Sequence, residues 1–254
     1  MSARSPLKSS QAKRINRTIG KAVRTYNMIS DGDKIAVGIS GGCDSLTLLW
    51  FLKHRLNHLP INYELLCIHV DPGFKPDHSD QLKAYAQTLN IPIQVEHTQF
   101  GMIAHGSENR ENPCFLCARL RRQRIFEIAE ACSCNKVALG HNKDDLIETL
   151  MINMFYAGEI SCMHPRQSLF QGKLTVIRPL AYTDADAIRR FAKINDLPTF
   201  MNPCPSASKS KRSDIRDMLT TFYQKNEKVK GNLFRALHNV KSDYLLTAID
   251  NKTR

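Results

Sequence analysis

Ser40-Gly41-Gly42-Cys43-Asp44-Ser45 lies between two apolar runs, Lys34 to Ile39 and Leu46 to Leu52. That order reads as strand, tight turn, helix. Two adjacent glycines let the backbone turn sharply and expose its N–H groups. The N-terminus of the following helix directs positive partial charge at the same point. Ser40 and Ser45 add hydroxyl donors, and Asp44 offers a carboxylate to Mg²⁺. The stretch is therefore an anion cradle of pyrophosphate size, without the spacing or the lysine of the ordinary P-loop.

Outward from this turn, apolar and β-branched runs at 34–39, 64–70, 91–97, 136–140 and 175–180 alternate with helical patterns at 46–54, 79–89, 118–132 and 144–156. The alternation predicts an α/β fold, a doubly wound parallel sheet of five strands with helices on both faces. Ligands of such sheets bind at the carboxyl ends of the strands, which is where the 40–45 turn falls. A further helix is expected at 185–195, capped by Thr183 or Asp184, and others near 213–224 and 231–247. Residues 202–212, with two prolines and several small polar residues, read as a loop.

Residues 1–30 contain no Asp or Glu, a composition that organelle transit segments share. Yet Ile15, Ile19, Ala22, Tyr26 and Ile29 recur at helical spacing, with Lys13, Arg14, Arg17, Lys21 and Arg24 mostly elsewhere on the wheel. The expected organisation is a loose tail over 1–10 and a basic helix within 11–30. A nucleotide domain follows over 31–200, with a cysteine insert near 112–124. A loop with the late cysteine and C-terminal helices fill 201–254, all in a single globular unit.

The chain has 254 residues, a net charge of +12 and a pI near 9.4, which favours a polyanionic partner such as nucleic acid. No apolar run approaches the ~20 residues that span a bilayer, and no secretory signal is visible. A cytoplasmic location is expected, and the eight cysteines, at 43, 67, 114, 117, 132, 134, 162 and 204, are expected to be thiols. Cys67 sits in an apolar strand and reads as core. Cys132 and Cys134 close a helix and read as inert.

A second motif, Leu139-Gly140-His141-Asn142-Lys143-Asp144-Asp145-Leu146-Ile147-Glu148-Thr149, follows the fourth strand. Asp145, Glu148 and Thr149 share one helical face. Asp144 or Asp145 can hold Mg²⁺ and Lys143 can neutralise phosphates, although acids in a first turn also simply suit the helix dipole. Asn112-Pro113-Cys114-Phe115-Leu116-Cys117 places a C-x₂-C just before a helix, and Cys204 lies 87 residues further on. Spacing alone leaves this set open to a redox pair, part of a zinc site, or a [4Fe–4S] site. Three thiolates would leave one iron of such a cluster open to hydrosulfide.

The string S-G-G-x-D-S resembles the signature of the PP-loop ATP pyrophosphatases, which cleave ATP between the α and β phosphates and pass AMP to a substrate oxygen. The C-x₂-C followed by A-R-L-R-R at 118–122, the G-H-x-x-D-D-x-x-E-T helix, Val176-Ile177-Arg178-Pro179-Leu180 and the late cysteine resemble the tRNA 2-thiocytidine synthetase family, from about Arg14 to about Tyr223. Asn153 and Phe155 extend the likeness. The resemblance implies ATP and Mg²⁺ at Ser40, Gly41, Gly42, Asp44, Ser45, Gly140, His141, Lys143 and Asp145. It implies a [4Fe–4S] cluster on Cys114, Cys117 and Cys204, with Asp44 and these cysteines carrying the catalysis. It implies a cytidine of the tRNA anticodon loop as substrate, adenylated at its C2 oxygen and then attacked by cluster-bound sulfide. A sulfur donor (cysteine desulfurase or sulfide) and a homodimer come with it. Arg119, Arg121, Arg122, Arg124 and the basic N-terminal helix are candidates for RNA phosphates.

Two departures stand out. Cys43 occupies a slot where family members often carry Lys, as a neutral filler or a sulfur carrier. Only one late cysteine is present where some relatives have two. Other functions compete: a cluster-free thiolase with a persulfide on Cys114 or Cys117 resolved by Cys204, an adenylating enzyme for another substrate, and a nucleotide-sensing binding module. Asp144, Asp145 and Glu148 argue against the last.

Overall fold

The computed structural model of the protein describes residues 9–56, 60–201, 203–206 and 210–246. The expected tail over residues 1–10 falls largely outside them. Six strands form one sheet: β1 Asp33–Gly38, β2 Tyr63–Asp71, β3 Ile93–His97, β4 Lys136–Ala138, β5 Arg166–Leu169 and β6 Leu174–Ile177, in the order β3-β2-β1-β4-β6-β5. The five expected strands are present and mutually parallel. The sixth, β5, is an antiparallel edge. Its sequence, Arg-Gln-Ser-Leu, is largely exposed and carries no apolar alternation to announce it.

Strand periodicity sorts the core into two layers. Ile35, Val37, Leu65 and Cys67 face one side, where α1 Ser10–Thr25, α2 Cys43–Leu56, α3 Ser79–Thr88 and α7 Ala185–Ile194 pack. Ala36, Leu66, Ile68 and Val70 face the other, against Ile125, Phe126 and Ala129 of α5 Pro113–Ala131. In α1, Ala12, Ile15, Ile19 and Ala22 are fully buried, so the basic N-terminal segment is a packed element of the core. The guanidinium of Arg55 on α2 donates to Asn16 O at 3.0 Å and fastens that helix down.

A third apolar cluster joins α6 Lys143–Ile152, α8 Lys211–Lys225 and α9 Lys228–Ala236 through Ile147, Ile215, Leu219, Leu233 and Phe234. The last helix is shorter than the 231–247 expected. A short helix, α4 Phe100–His105, follows β3 and contacts α5. Among the described residues, no helix is long and apolar enough to cross a membrane.

At the amino end of the central strands, Asp33 and Lys136 form a buried ion pair across β1 and β4. Asp33 also accepts from Ser30 N at 2.6 Å and Asn135 Nδ2 at 2.8 Å. Removing one member of a buried pair strands the other charge. Lys136→Met is expected to lower the unfolding free energy by about 3–5 kcal/mol, read by urea denaturation. A loss below about 1 kcal/mol, typical of an exposed pair, would show that water reaches Asp33.

Candidate active site

The 40–45 turn joins β1 to α2 at the carboxyl edge of the sheet, as the strand–turn–helix reading requires. Gly41 sits at φ +80°, a conformation that favours glycine. Ser40 N donates to Ser45 Oγ at 3.1 Å, and Ser45 Oγ donates to Gly42 O at 3.0 Å. Ser45 therefore braces the turn, and the Ser40 hydroxyl, 3.3 Å from Ser45 Oγ and accepting from Gly42 N at 3.4 Å, lies on the same turn beside the cavity.

The second motif lies against this turn, backbone to backbone. A Cβ on Gly140 would stand 2.9 Å from Ser45 N and 3.0 Å from Ser45 Cα. Asn142 begins α6 and links the two acidic motifs. Its side chain accepts from Asp144 N and Asp145 N, its own N–H donates to Asp145 Oδ2 at 2.9 Å, and its Nδ2 donates to Asp44 Oδ1 at 3.1 Å. Burial raises the Asp44 carboxyl above its ordinary range, opposed by the Asn142 bond. Burial also pushes Asp145 up to about 6. Two carboxylates held by one amide and short of counter-charge in their buried setting form a place for a divalent cation.

Arginines surround the acids. Arg212 meets Asp145 at 3.1 Å and Glu148 at 3.7 Å, and Arg216 meets Glu148 at 2.9 Å. Arg189 lines the same 570 Å³ cavity as Asp44, Asp145 and Glu148. No motif marks these three arginines; all come from helices that follow both motifs in the chain.

Lys143 corrects the expectation made for it. Its Nζ pairs with Asp184 at 3.1 Å and lies 5.3 Å over the Phe234 ring, lining a separate cavity with Thr18 and Tyr182. As the first residue of α6 it projects away from the turn. Asp144 is also engaged elsewhere. Its Oδ2 accepts from Ala185 N at 2.8 Å, capping α7 in place of Asp184, whose side chain makes no cap bond.

A cavity of about 310 Å³ opens between the two motifs, lined by Ser40, Asp44, Arg121, Arg122, His141 and Asp145. Of the four arginines on α5, Arg119 pairs with Glu111 and Arg124 with Glu96 and Glu127. Among the described residues, Arg121 and Arg122 have no carboxylate partner, and these two face the cavity. His141 is held neutral: burial, then Arg178, Arg212 and Arg122, lower its pKa to about 3. Arg178 Nε–H donates to His141 Nδ1 at 3.3 Å. Guanidinium nitrogen has no acceptor lone pair, so the imidazole proton resides on Nε2.

The cysteines expected just before a helix lie inside it. Asn112 caps α5, accepting from Phe115 N, and Pro113 occupies its first turn, so Cys114 and Cys117 stand one turn apart on the helix. Cys204 joins them from the far end of the chain. Ser206 Oγ lies 3.4 Å from Cys204 Sγ and 3.7 Å from Cys114 Sγ. Burial raises the Cys117 thiol, opposed by Arg121 and reinforced by the charges of Cys204 and Cys114. His105 Nδ1–H donates to Gly101 O, so its Nε2, 2.6 Å from Ser206 Oγ, accepts the serine proton. Ser206 then presents lone pairs to the sulfurs. Neither Ser206 nor His105 carries a sequence signal beyond proximity to a proline-flanked cysteine.

The loop bearing Cys204 starts at the turn itself. Phe200 N donates to Gly41 O at 2.9 Å, and the Phe200 ring covers Gly41 so closely that a Cβ there would meet it at 3.0 Å. A small cavity of about 130 Å³, lined by Ser40, Gly42, His69, Arg121, Phe200 and Pro203, runs between the turn and this loop. Turn and thiols thus share Arg121 and one connecting segment.

The remaining cysteines stand apart. Cys43 is half-buried and packs against the main core. Burial and then Asp44 raise its thiol, which suits a neutral filler. Burial pushes Cys67 up to about 12 in β2, and Cys134 packs in the opposite apolar layer with Cys132 beside it.

A family model described as a PP-loop domain matches residues 9–222. The tRNA-cytidine(32) 2-sulfurtransferase of Geobacter sulfurreducens is 37% identical over 237 residues, 92% of this chain and 92% of its own. The protein of that name from Syntrophotalea carbinolica is 36% identical, over 93% and 92%. Among solved structures, the U34-tRNA thiolase NcsA from Methanococcus maripaludis with its [4Fe-4S] cluster superposes with a TM-score of 0.75 at 24% identity, covering 90% of this chain and 78% of that one. The NH3-dependent NAD synthetase of Campylobacter jejuni superposes at 0.52 and 14% identity, covering 95% and 99%. The two structures share the fold.

Two outcomes follow from this geometry. Gly140→Ala is expected to push the turn aside and weaken pyrophosphate binding by about 1–3 kcal/mol in calorimetry; equal affinity would show that the turn does not hold the anion. For His141, the folded pKa lies below the unfolded value near 6.5. Below that value the unfolded chain binds the proton and the folded one does not, so stability falls as pH drops from about 6.5 towards 3, by at most about 1.4 kcal/mol per pH unit. Urea unfolding between pH 7 and pH 4.5 should show a shallower decline in His141→Gln than in the wild type; equal slopes would mean that the imidazole is solvated.

Proposed function

Because this chain belongs to the PP-loop family, among its tRNA-cytidine(32) 2-sulfurtransferases, we propose that it inserts sulfur at C2 of a cytidine in the anticodon loop of tRNA, using ATP. The cytosine C2 oxygen is a poor leaving group until it carries AMP. In the first step that oxygen bonds to the α-phosphorus, the bond to the β-phosphate oxygen breaks, and pyrophosphate leaves. The turn amides, the α2 N-terminus and the Ser40 hydroxyl hold the departing pyrophosphate, and Arg121 and Arg122 balance its charge. Asp44 and Asp145, oriented by Asn142, would hold Mg²⁺, which would offset the charge of the phosphates. His141, neutral and with its proton on Nε2, serves as a hydrogen-bond donor that does not lose its proton at neutral pH.

Cys114, Cys117 and Cys204 suit a [4Fe–4S] cluster in donor type and number: these three thiols, from two segments of the chain, would hold it. A cluster held by three thiolates supplies an iron site open to sulfide, and with it a nucleophilic sulfur for the activated carbon. Ser206, held by His105, ties Cys204 to Cys114, and the Phe200–Gly41 bond anchors the start of the Cys204 loop at the turn. The target base must leave its stack to enter, which a single-stranded loop permits at low cost. The observation that most supports this reading is the meeting of Cys204 with Cys114 around Ser206, on a loop hydrogen-bonded to the turn. A cytoplasmic location, a sulfur donor such as a cysteine desulfurase or free sulfide, and a homodimer belong to the same proposal.

Anaerobically purified protein should be brown with about four irons per chain, and with Mg·ATP and sulfide it should 2-thiolate tRNA, read by nucleoside mass spectrometry. Replacing any of Cys114, Cys117 or Cys204 with Ser should abolish iron retention and thiolation together. Undiminished thiolation by iron-free protein would overturn the cluster and favour a persulfide route; pyrophosphate release with no thiolated tRNA would overturn the RNA substrate.

A further inference from the structure

Outside the turn and the thiols, Asp71, Asp77 and His97 bring three metal-ligating groups together. Asp71 ends β2, His97 ends the neighbouring strand β3, and Asp77 lies in the loop between β2 and α3. Each carboxylate uses one oxygen to fix itself to its own loop. Gly73 N donates to Asp71 Oδ1 at 3.1 Å, and Ser79 donates to Asp77 Oδ1 through its N–H at 2.8 Å and its hydroxyl at 2.6 Å. The second oxygen of each is turned to the same atom: His97 Nδ1 lies 3.4 Å from Asp71 Oδ2 and 3.5 Å from Asp77 Oδ2.

Hydrogen bonding accounts poorly for this arrangement. One ring nitrogen carries at most one proton, so it can reach both carboxylates only through one weak, shared three-centre bond, and a good N–H···O bond is about 2.9–3.0 Å long. Both contacts exceed that length. They match a different figure: two ligands each about 2.0–2.1 Å from a tetrahedral ion stand about 3.3–3.4 Å apart. The remaining bonds, Gly73 to Asp71 and Ser79 to Asp77, are of the kind that orients carboxylate ligands from outside. Asp71 is buried and its carbonyl accepts from Thr98 N at 3.0 Å and Thr98 Oγ1 at 2.7 Å, so the two strand ends are already knit. His97 is largely exposed, which leaves the fourth position open to solvent.

We propose that Asp71, Asp77 and His97 form a binding site for a divalent metal ion of the borderline N/O class, Zn²⁺ above all. Its residues differ from the acids Asp44 and Asp145 and from the thiols, although Asp71 also lines the small cavity that Ser40 and Gly42 border. The ion ties the ends of β2 and β3 to the 72–78 loop. That loop carries His78, whose ring stacks on Phe200 at 4.3 Å, and Phe200 in turn is bonded to the turn. The ion thereby braces the wall against which the Cys204 loop begins.

The test is calorimetric titration of the full-length chain with Zn²⁺, in a background with Cys114, Cys117 and Cys204 all replaced by Ser so that no thiol of that trio takes the metal. A Zn²⁺ site additional to the cation place at Asp44 and Asp145 is expected, with its affinity falling at least about tenfold in both His97→Gln and Asp77→Asn. Both substitutions keep side-chain size, His97 is exposed, and an unchanged circular dichroism spectrum confirms folding. Zn²⁺ is also expected to raise the melting temperature of the background protein and to raise it less in His97→Gln. No saturable binding, or equal affinity in either variant, overturns the site. Neither result bears on the proposed thiolation, because the cysteines are absent from the experiment.

Discussion

Everything at this site depends on two backbones being allowed to touch. β1 and β4 are neighbours in the sheet, and the segments leaving their carboxyl ends must cross the same small space. Gly140 has no side chain, so the second motif can lie directly on the amides of Asp44 and Ser45. Asn142, two residues on, then reaches Asp44 while it caps α6. A Cβ at position 140 would meet Ser45 N at 2.9 Å, so the two segments would have to move apart. Strand order, a missing Cβ and one asparagine thus convert two remote motifs into one pocket.

Charge is partitioned around that pocket. The acids Asp145 and Glu148 are paired with Arg212 and Arg216 from α8. Arg121 and Arg122 stand over the opening without carboxylate partners among the described residues. Arg178, almost wholly buried, commits Nε to a histidine ring and donates at 2.5 Å to His164 O. Burial, reinforced by these cations, keeps His141 uncharged, and the hydrogen bond from Arg178 decides which of its nitrogens keeps a proton. A polyanion meets positive charge at the mouth and a cation site within.

The strand–turn–helix around Ser40–Ser45, the five parallel strands and the basic N-terminal helix are legible in the sequence because each is announced locally, by periodicity or by glycine. The start of α5 is less so: apolar spacing places it at 118, and the structure begins it at 113. Asn112-Pro113 is a cap followed by a first-turn proline, a signal overshadowed by the cysteines. β5 escapes notice because an exposed edge strand needs no apolar face. Lys143 reads as a phosphate ligand because it sits inside an acidic motif, but its side chain follows the outer face of α6 to Asp184. Arg189, Arg212, Arg216, His105 and Ser206 enter the site only through tertiary packing, to which no spacing along the chain gives access. The convergence of Cys204 on Cys114 is of the same kind, suggested by likeness and explained only by the path of the loop from Phe200.

The bond between Phe200 N and Gly41 O has a thermodynamic reach longer than its 2.9 Å. It makes the nucleotide turn and the late cysteine loop parts of one mechanical unit. Free-energy coupling between two occupied places is reciprocal. Whatever stiffens the turn when a phosphate arrives must steady the sulfur side by an equal amount, and a filled thiol site must return the favour to nucleotide affinity. That amide, together with Arg121, gives the energy source and the sulfur supply a direct mechanical link.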